Sequence, residues 1–231
     1  MRADTAGCAF AILALLAAPG PAGAQVPPSA AERAAYTGLF AAAERGEATA
    51  IERLASSGQP IDVRDGHGRT PLHVAAYARQ RDAMRALVRA GADPNAVDRD
   101  RYDIVTIAAV ADDVATLATA LEIGCSAANV TSPYDGTALI AAAHLGHDEV
   151  VRVLIRAGAP LDHVNNLGWT AVIESIVLGD GGAPHQSTLQ ALVDAGANLN
   201  IADRAGTTPL ALARSRNYRA MVEILTKAGA R

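Results

Sequence analysis

Six glycines recur at nearly constant spacing, and this period constrains the fold more than any other feature of the chain. The spacings are 33, 33, 34, 38 and 33 residues, and they separate Gly58, Gly91, Gly124, Gly158, Gly196 and Gly229. Each glycine follows an apolar helical pattern, which predicts a left-handed residue that ends a helix. A period of about 20 to 50 residues indicates stacked supersecondary units. We therefore predict a repeat array of helical pairs, in which each unit packs only against its neighbours.

The first 24 residues are predicted to form a cleaved signal peptide, residues 1–24, separate from the array. Cys8 to Ala18 is an apolar run of 11 residues, which is too short to span a bilayer. Pro19-Gly20-Pro21 ends the run, and Ala22-Gly23-Ala24 matches the small-x-small pattern of a cleavage site. A disordered or uncleaved N-terminus is the alternative, because Arg2 is the only basic residue before the run. We expect the mature chain to be periplasmic or secreted.

Composition argues against several classes of partner and of stabilising bond. The net charge is −4, so we expect no nucleic-acid partner, and no membrane partner after signal cleavage. Removal of the signal peptide leaves Cys125 as the only thiol, so no intramolecular disulfide can form. Cys125 occupies a position that is alanine in the other repeats, which predicts a buried small residue and not a redox thiol.

The second unit, residues 65–97, shows the repeat motif most clearly. The turn residues Asp65-Gly66-His67-Gly68 precede Thr70, which can cap a helix, and Pro71, which is tolerated at the first helical position. In the second helix of this unit, Met84, Leu87 and Val88 form one apolar stripe.

An N-terminal cap precedes this unit. Ser29 with Glu32 three residues later is typical of a capping box, and it predicts a helix that runs through about Glu44. Glu32, Arg33 and Glu44 supply polar cover for a unit that has no neighbour on one side.

Taken together, residues 68–76 and 91–95 closely resemble the ankyrin repeat family, and residues 136–143 and 206–213 repeat the match. The resemblance covers about residues 32–231, after a linker at 25–31. It implies an all-α repeat solenoid of helix-turn-helix units with β-hairpin fingers, about six units including both caps. The expected units are residues 32–64, 65–97, 98–131, 132–164, 165–202 and 203–231.

Two units depart from this pattern. In the third, Arg101 replaces the turn glycine, and Asp103 stands where the capping threonine is expected. Because aspartate also caps helices, we expect the fold to survive with an altered finger. The fifth unit carries about five extra residues within 179–186, in the loop between its two helices and opposite the fingers. We interpret them as a surface insertion, with a second recognition element as the alternative.

No constellation of residues indicates catalysis. His144 and His147 resemble a ligand pair, but no cysteine or carboxylate cluster joins them at metal-site spacing. His73 belongs to the repeat motif and is predicted to be structural. Cys125 has no adjacent histidine that would activate it as a nucleophile, and no glycine-rich phosphate loop follows a strand. We predict a protein that is not an enzyme and that has no catalytic residue, metal or cofactor.

The resemblance implies that a protein partner binds the finger tips, the residue before each capping position and the exposed face of the first helices. Aromatic residues and arginine often supply most of the binding energy at interfaces. Carried over, the candidate protein-binding residues are His67, Arg69, Tyr77, Arg99, Tyr102, Tyr134, His144, Trp169 and Leu178, and the wider set includes Leu145 and Leu167. The alternative for the rings is that they pack against the neighbouring finger and stiffen the array.

These observations predict an exported, non-catalytic and monomeric protein–protein interaction module. It would bind one protein partner through the hairpin fingers and the concave first-helix face. The first alternative is a secreted effector that binds a host protein by the same face. The second is a metal- or ligand-binding regulator that uses His144, His147 and the insertion loop.

Overall fold

The computed structural model describes residues 25–231, so the predicted signal peptide lies outside the described residues. These residues form thirteen α-helices, and most second helices of a pair have nine residues. The helices are α1 Ala30–Ala35, α2 Gly38–Arg45, α3 Ala48–Ser56, α4 Pro71–Tyr77, α5 Arg81–Arg89, α6 Ile104–Val110, α7 Val114–Glu122, α8 Ala138–Leu145, α9 Asp148–Arg156, α10 Ala171–Val177, α11 Ala183–Asp194, α12 Pro209–Ser215 and α13 Arg219–Lys227.

After the short helix α1, the helices form six stacked pairs. The first helices pack in the order α2, α4, α6, α8, α10 and α12, and the second helices pack in parallel order from α3 to α13. Each pair contacts the pair before and after it, which confirms the all-α repeat solenoid. No helix within residues 25–231 is long and apolar enough to cross a membrane.

The first helices begin at equivalent capping residues. Thr70, Asp103, Thr137, Thr170 and Thr208 all precede a first helix in extended backbone conformation. The last four side chains accept a hydrogen bond from the backbone N–H three residues later. This satisfies a donor that the first helical turn leaves free.

The recurring glycines end the second helices as predicted. Their φ angles lie between 81° and 98° at Gly58, Gly91, Gly124, Gly158, Gly196 and Gly229. The N–H of the next residue then bonds back to the last helical turn, as Ala92 N does to Leu87 O at 3.0 Å. A Cβ atom at these positions would make the left-handed conformation unfavourable, which explains why glycine recurs there.

A continuous apolar core runs along the stack. One large aliphatic residue of each first helix is buried in it: Leu39, Leu72, Val105, Leu139, Val172 and Leu210. Alanines fill much of the remaining space, because small side chains let neighbouring helices approach closely. Cys125 is also buried, and its Sγ donates to the carbonyl of Pro94 at 3.1 Å. Burial raises the pKa of this thiol to about 12, so it stays protonated at neutral pH.

His73 joins two units, as its predicted structural role requires. The backbone N–H of Thr70 donates to its Nδ1 at 3.1 Å, so Nε2 carries the proton and donates to the carbonyl of Tyr102 at 3.1 Å. Burial lowers the pKa of His73 to about 4, which keeps the ring neutral.

The fingers are short loops between the helical pairs, and we number them by unit. Fingers 2 to 6 are residues 65–69, 98–102, 132–136, 165–169 and 203–207. Within residues 25–231 they contain no regular strand, and the only bridge joins Thr131 to Gly136. The hairpins that the resemblance implied are therefore tight loops, closed by a backbone bond such as that from Asp65 N to Arg69 O at 3.0 Å and by the side-chain bonds described below.

The third unit folds with the altered finger that its sequence predicts. Arg101 has a φ of 65°, close to the 73° of Gly68 at the matching position of finger 2. Asp103 replaces threonine as the cap, and its Oδ1 accepts from Thr106 N at 2.8 Å.

The N-terminal region differs from the prediction. The capping box of Ser29 and Glu32 is present, but the helix that it opens ends at Ala35 instead of continuing to about Glu44. Tyr36 is extended, with a ψ of 137°, and a new helix starts at Gly38. The break lets the Tyr36 hydroxyl donate to Asp65 Oδ2 at 2.8 Å, so the cap is tied to finger 2.

The insertion of the fifth unit is held by both neighbouring units. It adds a turn to α11, which has 12 residues, and leaves a short loop before it. His185 Nε2 lies 3.0 Å from the carbonyl of His144, and the Tyr218 hydroxyl donates to Gly179 O at 3.0 Å. This loop lies at the end of the first helices opposite the fingers, as predicted.

Candidate protein interface

The first residue of each finger holds the loop in shape. In finger 2, Asp65 Oδ1 accepts from the N–H groups of His67 at 2.8 Å and Arg69 at 3.0 Å. The same pair of bonds is made in fingers 3 to 6 by Asp98, Ser132, Asn165 and Asp203. Because one side-chain oxygen satisfies two backbone donors, these loops are ordered without strand pairing.

Backbone hydrogen bonds also join each finger to the next. Arg99 N donates to His67 O at 3.0 Å, and Ser132 N donates to Arg101 O at 3.0 Å. Asn166 N donates to Tyr134 O at 2.9 Å. Fingers 2 to 5 therefore form one connected row beside the first helices. We call the exposed side of this row and of the first helices the inner face.

Two of the nine candidate binding residues are buried, contrary to the predicted surface positions. Arg69 is 0% exposed: its Nε donates to Asp65 Oδ2 at 2.7 Å, its Nη1 donates to Val26 O at 2.9 Å, and its Nη2 contacts Glu32. The N-terminal segment covers this side chain, which sequence spacing did not reveal. Residues 25–31, predicted as a linker, are thus fixed against finger 2.

The other buried candidate is Tyr102, which is 6% exposed. It lies in finger 3 at the position that corresponds to Arg69. Its carbonyl accepts the bond from His73, and burial raises the pKa of its hydroxyl to about 12. This ring is therefore packed in the array and not displayed on its surface.

Tyr77 and Trp169 are partly buried. Tyr77 packs against the core, and its hydroxyl is buried without a hydrogen-bond partner among the described residues. Burial raises the pKa of that hydroxyl. Trp169 ends finger 5, where its N–H bonds to Asn165 Oδ1 at 3.0 Å.

The remaining five candidates have substantial exposure. Tyr134 and Leu178 are each 44% exposed, and Arg99 and His144 are exposed as well. His67 is partly exposed, and its Nε2 lies 3.4 Å from Glu32 Oε1. The structure therefore separates the nine candidates into an exposed group and a packed group.

Large apolar side chains are exposed in only one section of the described chain. All of them lie in or beside fingers 4 and 5 or at the ends of the first helices of those units. We call these residues together the apolar patch; it has one part at the fingers, Val130, Tyr134, Val164 and Leu167, and one at the opposite end of the first helices, Leu145 and Leu178. The sequence reasoning named four of these positions but missed Val130, two residues before finger 4, and Val164, directly before finger 5.

Glu174 is an unexpected polar residue beneath this patch. It lies on α10 and is 4% exposed, in a repeat column that holds Val74, Ile107, Ala141 and Leu212 in other units. Its Oε1 accepts from Asn165 Nδ2 at 2.9 Å, which connects it to the residue that closes finger 5. A carboxylate in an otherwise apolar column is a signal that the sequence reasoning overlooked.

The second carboxylate oxygen of Glu174 has no hydrogen-bond donor among the described residues. His144 Nδ1 is 3.6 Å away, on the exposed side. Burial raises the pKa of Glu174 to about 7 and lowers the pKa of His144. A buried carboxylate with one unbonded oxygen is costly and is therefore a feature that needs an explanation.

The described residues contain no group of three or more histidine, cysteine, aspartate or glutamate side chains that could hold a metal ion. His147 Nδ1 lies 2.9 Å from the carbonyl of Ala109, whereas His144 is next to Glu174. These two histidines have different neighbours and do not form a ligand pair.

Comparison with known proteins gives the same architecture. A family model described as ankyrin repeats in three copies matches residues 7–98 and 105–203, which is most of the chain. The chain belongs to the ankyrin repeat family. Ankyrin repeats are generally non-catalytic scaffolds that bind other proteins, and this chain has that fold. The match begins at residue 7, inside the stretch predicted as a signal peptide.

Individual ankyrin repeat proteins cover nearly the whole array. YahD of Escherichia coli is 32% identical over 190 residues, which is 82% of this chain and 94% of YahD. The crystal structure of an ankyrin repeat domain from Acinetobacter baumannii is 42% identical, with a TM-score of 0.76, and covers 84% of this chain and 98% of that one. The ankyrin repeat domain of Bcl-3, described as a member of the IκB protein family, is 28% identical with a TM-score of 0.73 and coverages of 85% and 87%.

Proposed function

We propose that this ankyrin repeat protein is an exported, non-catalytic module that binds a protein partner through fingers 4 and 5 and the adjoining first helices. The observation that carries the proposal is that all exposed large apolar side chains of residues 25–231 fall within residues 130–178, in units 4 and 5 and just before them. Exposed apolar side chains grouped in this way are typical of interaction sites.

The hydrogen-bonded fingers support this proposal. In each of fingers 4 and 5, the side chain of the first residue accepts hydrogen bonds from two backbone N–H groups, and further backbone bonds join the two fingers. A surface that is already ordered loses little conformational entropy when it binds a partner, so more of the contact energy appears as affinity. Tyr134, Leu167 and Leu178 can then act as fixed apolar anchors.

The test is capture of a partner by the immobilised mature chain, residues 25–231, from the exporting compartment. The triple variant Tyr134→Ser, Leu167→Ser, Leu178→Ser should lose capture while its circular dichroism spectrum and melting temperature stay close to those of the parent chain. The control carries Arg53→Ser, Arg156→Ser and Glu223→Ser, three exposed positions on second helices. Equal capture by the two triple variants would reject the proposed binding surface.

The proposed export rests on residues 1–24, whose apolar run and small-residue pattern are typical of a signal peptide. We expect the protein in the periplasmic fraction, with Gln25 as its first residue by N-terminal sequencing. Recovery from the culture medium would instead support an effector that binds a host protein. An intact N-terminus in the cytoplasmic fraction would contradict export.

A further inference from the structure

The surface around the apolar patch differs in charge from the rest of the array. Residues 102–202 contain eleven aspartate and glutamate residues but only two arginines and no lysine. Residues 25–101 are nearly balanced, with ten acidic and eleven basic residues. Residues 203–231 reverse the sign, with six basic and two acidic residues. The patch therefore lies in a strongly acidic section that ends at a basic terminal unit.

Within residues 102–202, the two arginines do not neutralise the inner face. Arg152 and Arg156 both belong to α9, a second helix, and their partners Asp148 and Glu149 are on the same helix, at 3.9 Å and 3.5 Å. Their positive charge therefore lies on the side of the second helices, away from the inner face. The cations that contact fingers 4 and 5 come from neighbouring units, and one of them is paired with a carboxylate. Arg101 pairs with Asp135 at 2.6 Å, and Arg204 contacts the carbonyl of Asn166.

Acidic groups stand beside the apolar residues at the ends of the first helices. Asp112 and Asp180 have side-chain exposures of 59% and 79%. Asp112 follows α6, so it lies next to the unit of Leu145, and Asp180 is two residues after Leu178. Their basic neighbours within 4.0 Å are histidines, His147 at 4.0 Å and His185 at 3.1 Å, whereas Arg79 pairs with the adjacent Asp113 at 3.2 Å. Both carboxylates can therefore attract a cation from outside.

Glu174 is an independent observation at the same place. Its side chain is 5% exposed, and its Oε2 has no donor among the described residues. The exposed His144 has its Nδ1 3.6 Å from this oxygen. When ionised, Glu174 adds negative potential there that no cationic side chain of the described residues cancels at hydrogen-bonding distance.

We propose that the partner presents an extended segment in which lysine or arginine residues alternate with apolar ones, and that this segment lies across the first helices of units 3 to 5. Its apolar residues pack on Leu145 and Leu178, and its cations lie near Asp112, Asp180 and the Glu174 site. The basic sixth unit, with Arg214 and Arg216, limits the binding surface at one end. This inference rests on the proposed function and specifies the chemistry of its partner.

The size of the surface sets the length of the probe. First helices in contact are about 10 Å apart, so an extended segment that crosses three of them needs about ten residues. We would use labelled peptides of that length in the repeating order Leu-Leu-Lys-Lys, which presents both residue types on each side. Matched probes are Leu-Leu-Glu-Glu, with reversed charge, and Ser-Ser-Lys-Lys, without apolar side chains.

Fluorescence anisotropy with the mature chain should show about tenfold tighter binding of the Leu-Leu-Lys-Lys peptide than of either matched probe. The difference should shrink with added salt, because screening shortens the range of exposed charges to about 10 Å at 0.1 M. Equal binding of all three peptides, or preference for Leu-Leu-Glu-Glu, would overturn the inference.

Variants locate the effect on the surface. The pair Asp112→Asn and Asp180→Asn, and separately the pair Leu145→Ser and Leu178→Ser, should each weaken binding of the Leu-Leu-Lys-Lys peptide several-fold. The pair Arg214→Gln and Arg216→Gln should strengthen peptide binding, because these changes remove repulsion at the end of the site.

The control pair, Glu149→Gln and Asp194→Asn, removes two charges from second helices of the same units and should have no effect. An equal loss in the control would show nonspecific charge attraction and reject the site.

The same variants separate this inference from the proposed function. If the apolar pair loses capture of the native partner while the aspartate pair and added salt have no effect, the module function stands and a basic partner is excluded. If neither pair affects capture, this inference fails, and the proposed function fails with it only if the triple variant Tyr134→Ser, Leu167→Ser, Leu178→Ser also keeps full capture. If sedimentation shows a dimer that Arg214→Gln and Arg216→Gln dissociate, a second copy of this chain occupies the surface and the inference is overturned.

Discussion

In fingers 2 and 5 the side chain of the first residue accepts the same two backbone hydrogen bonds, but the surroundings of the two loops are opposite. In finger 2, Arg69 is fully buried between Asp65 and Glu32, and the N-terminal segment covers it. In finger 5, Leu167 is 39% exposed, and the bracketing Asn165 bonds to a buried glutamate. Within one repeat template, the first arrangement closes the end of the array and the second leaves an apolar surface open.

This difference shows that the repeat specifies a backbone, while the neighbouring units determine the role of each position. The side chain before the cap is Arg69 in one finger and Trp169 in the other. Arg69 anchors because residues 25–35 lie against it, and hydrogen bonds from Arg69 and Tyr36 lower the pKa of Asp65 although burial alone would raise it. Finger 5 has a finger on both sides, whereas no finger precedes finger 2, so finger 5 needs no such cover.

The largest effect is expected from breaking the buried ion pair of finger 2. Arg69→Ala leaves the carboxylate of Asp65 without its cation and releases the N-terminal segment. Loss of one partner from a buried pair costs about 3 to 5 kcal/mol. Urea denaturation should show a loss of this size in the free energy of unfolding. The control Arg99→Ala, at an exposed tip, should change it by about 0.5 kcal/mol or less. Equal effects would show that Arg69 is not an anchor.

A smaller effect is expected from Glu174, and its sign depends on pH. Its pKa is about 7 in the folded chain against 4.5 for the ordinary group, so the native state binds more protons than the unfolded state between these values. Stability should therefore fall as the pH rises from about 4.5 to 7, and it should then level off. The shift corresponds to about 3 kcal/mol, reduced where a protonated His144 pairs with the carboxylate.

The variant Glu174→Gln should remove this slope and make the chain more stable than the parent by about 2 kcal/mol near pH 8. Thermal and urea unfolding across the pH range would measure it, with Glu223→Gln, which is exposed, as the matched control. A slope that persists in Glu174→Gln would assign the pH dependence to another group.

The smallest effect is expected from the apolar patch. Leu145→Ala removes a side chain that is 41% exposed and should change the free energy of unfolding by about 0.5 kcal/mol or less. Leu154→Ala, in the buried core of the same unit, should cost about 2 to 5 kcal/mol because it leaves a cavity. A large loss for Leu145→Ala would mean that the patch stabilises the array and is not a free surface.

Most of the fold could be predicted from the sequence because repetition made each local signal visible several times. The glycine period, the capping residues and the apolar columns all correspond to what the structure shows. The candidate site was less predictable. Arg69 and Tyr102 match the surface positions of the family motif, yet both are buried, Arg69 by contacts with the N-terminal segment.

The sequence by itself determined the local conformations: which residues end helices, which cap them and which face the core, since these depend on neighbours within a few positions. Only the tertiary structure decided exposure and pairing. Arg69 meets Val26 and Glu32 across 43 and 37 residues, and Glu174 meets His144 across the boundary between two units. Such contacts depend on how units stack, because burial and electrostatic environment are set by residues that are distant in the chain.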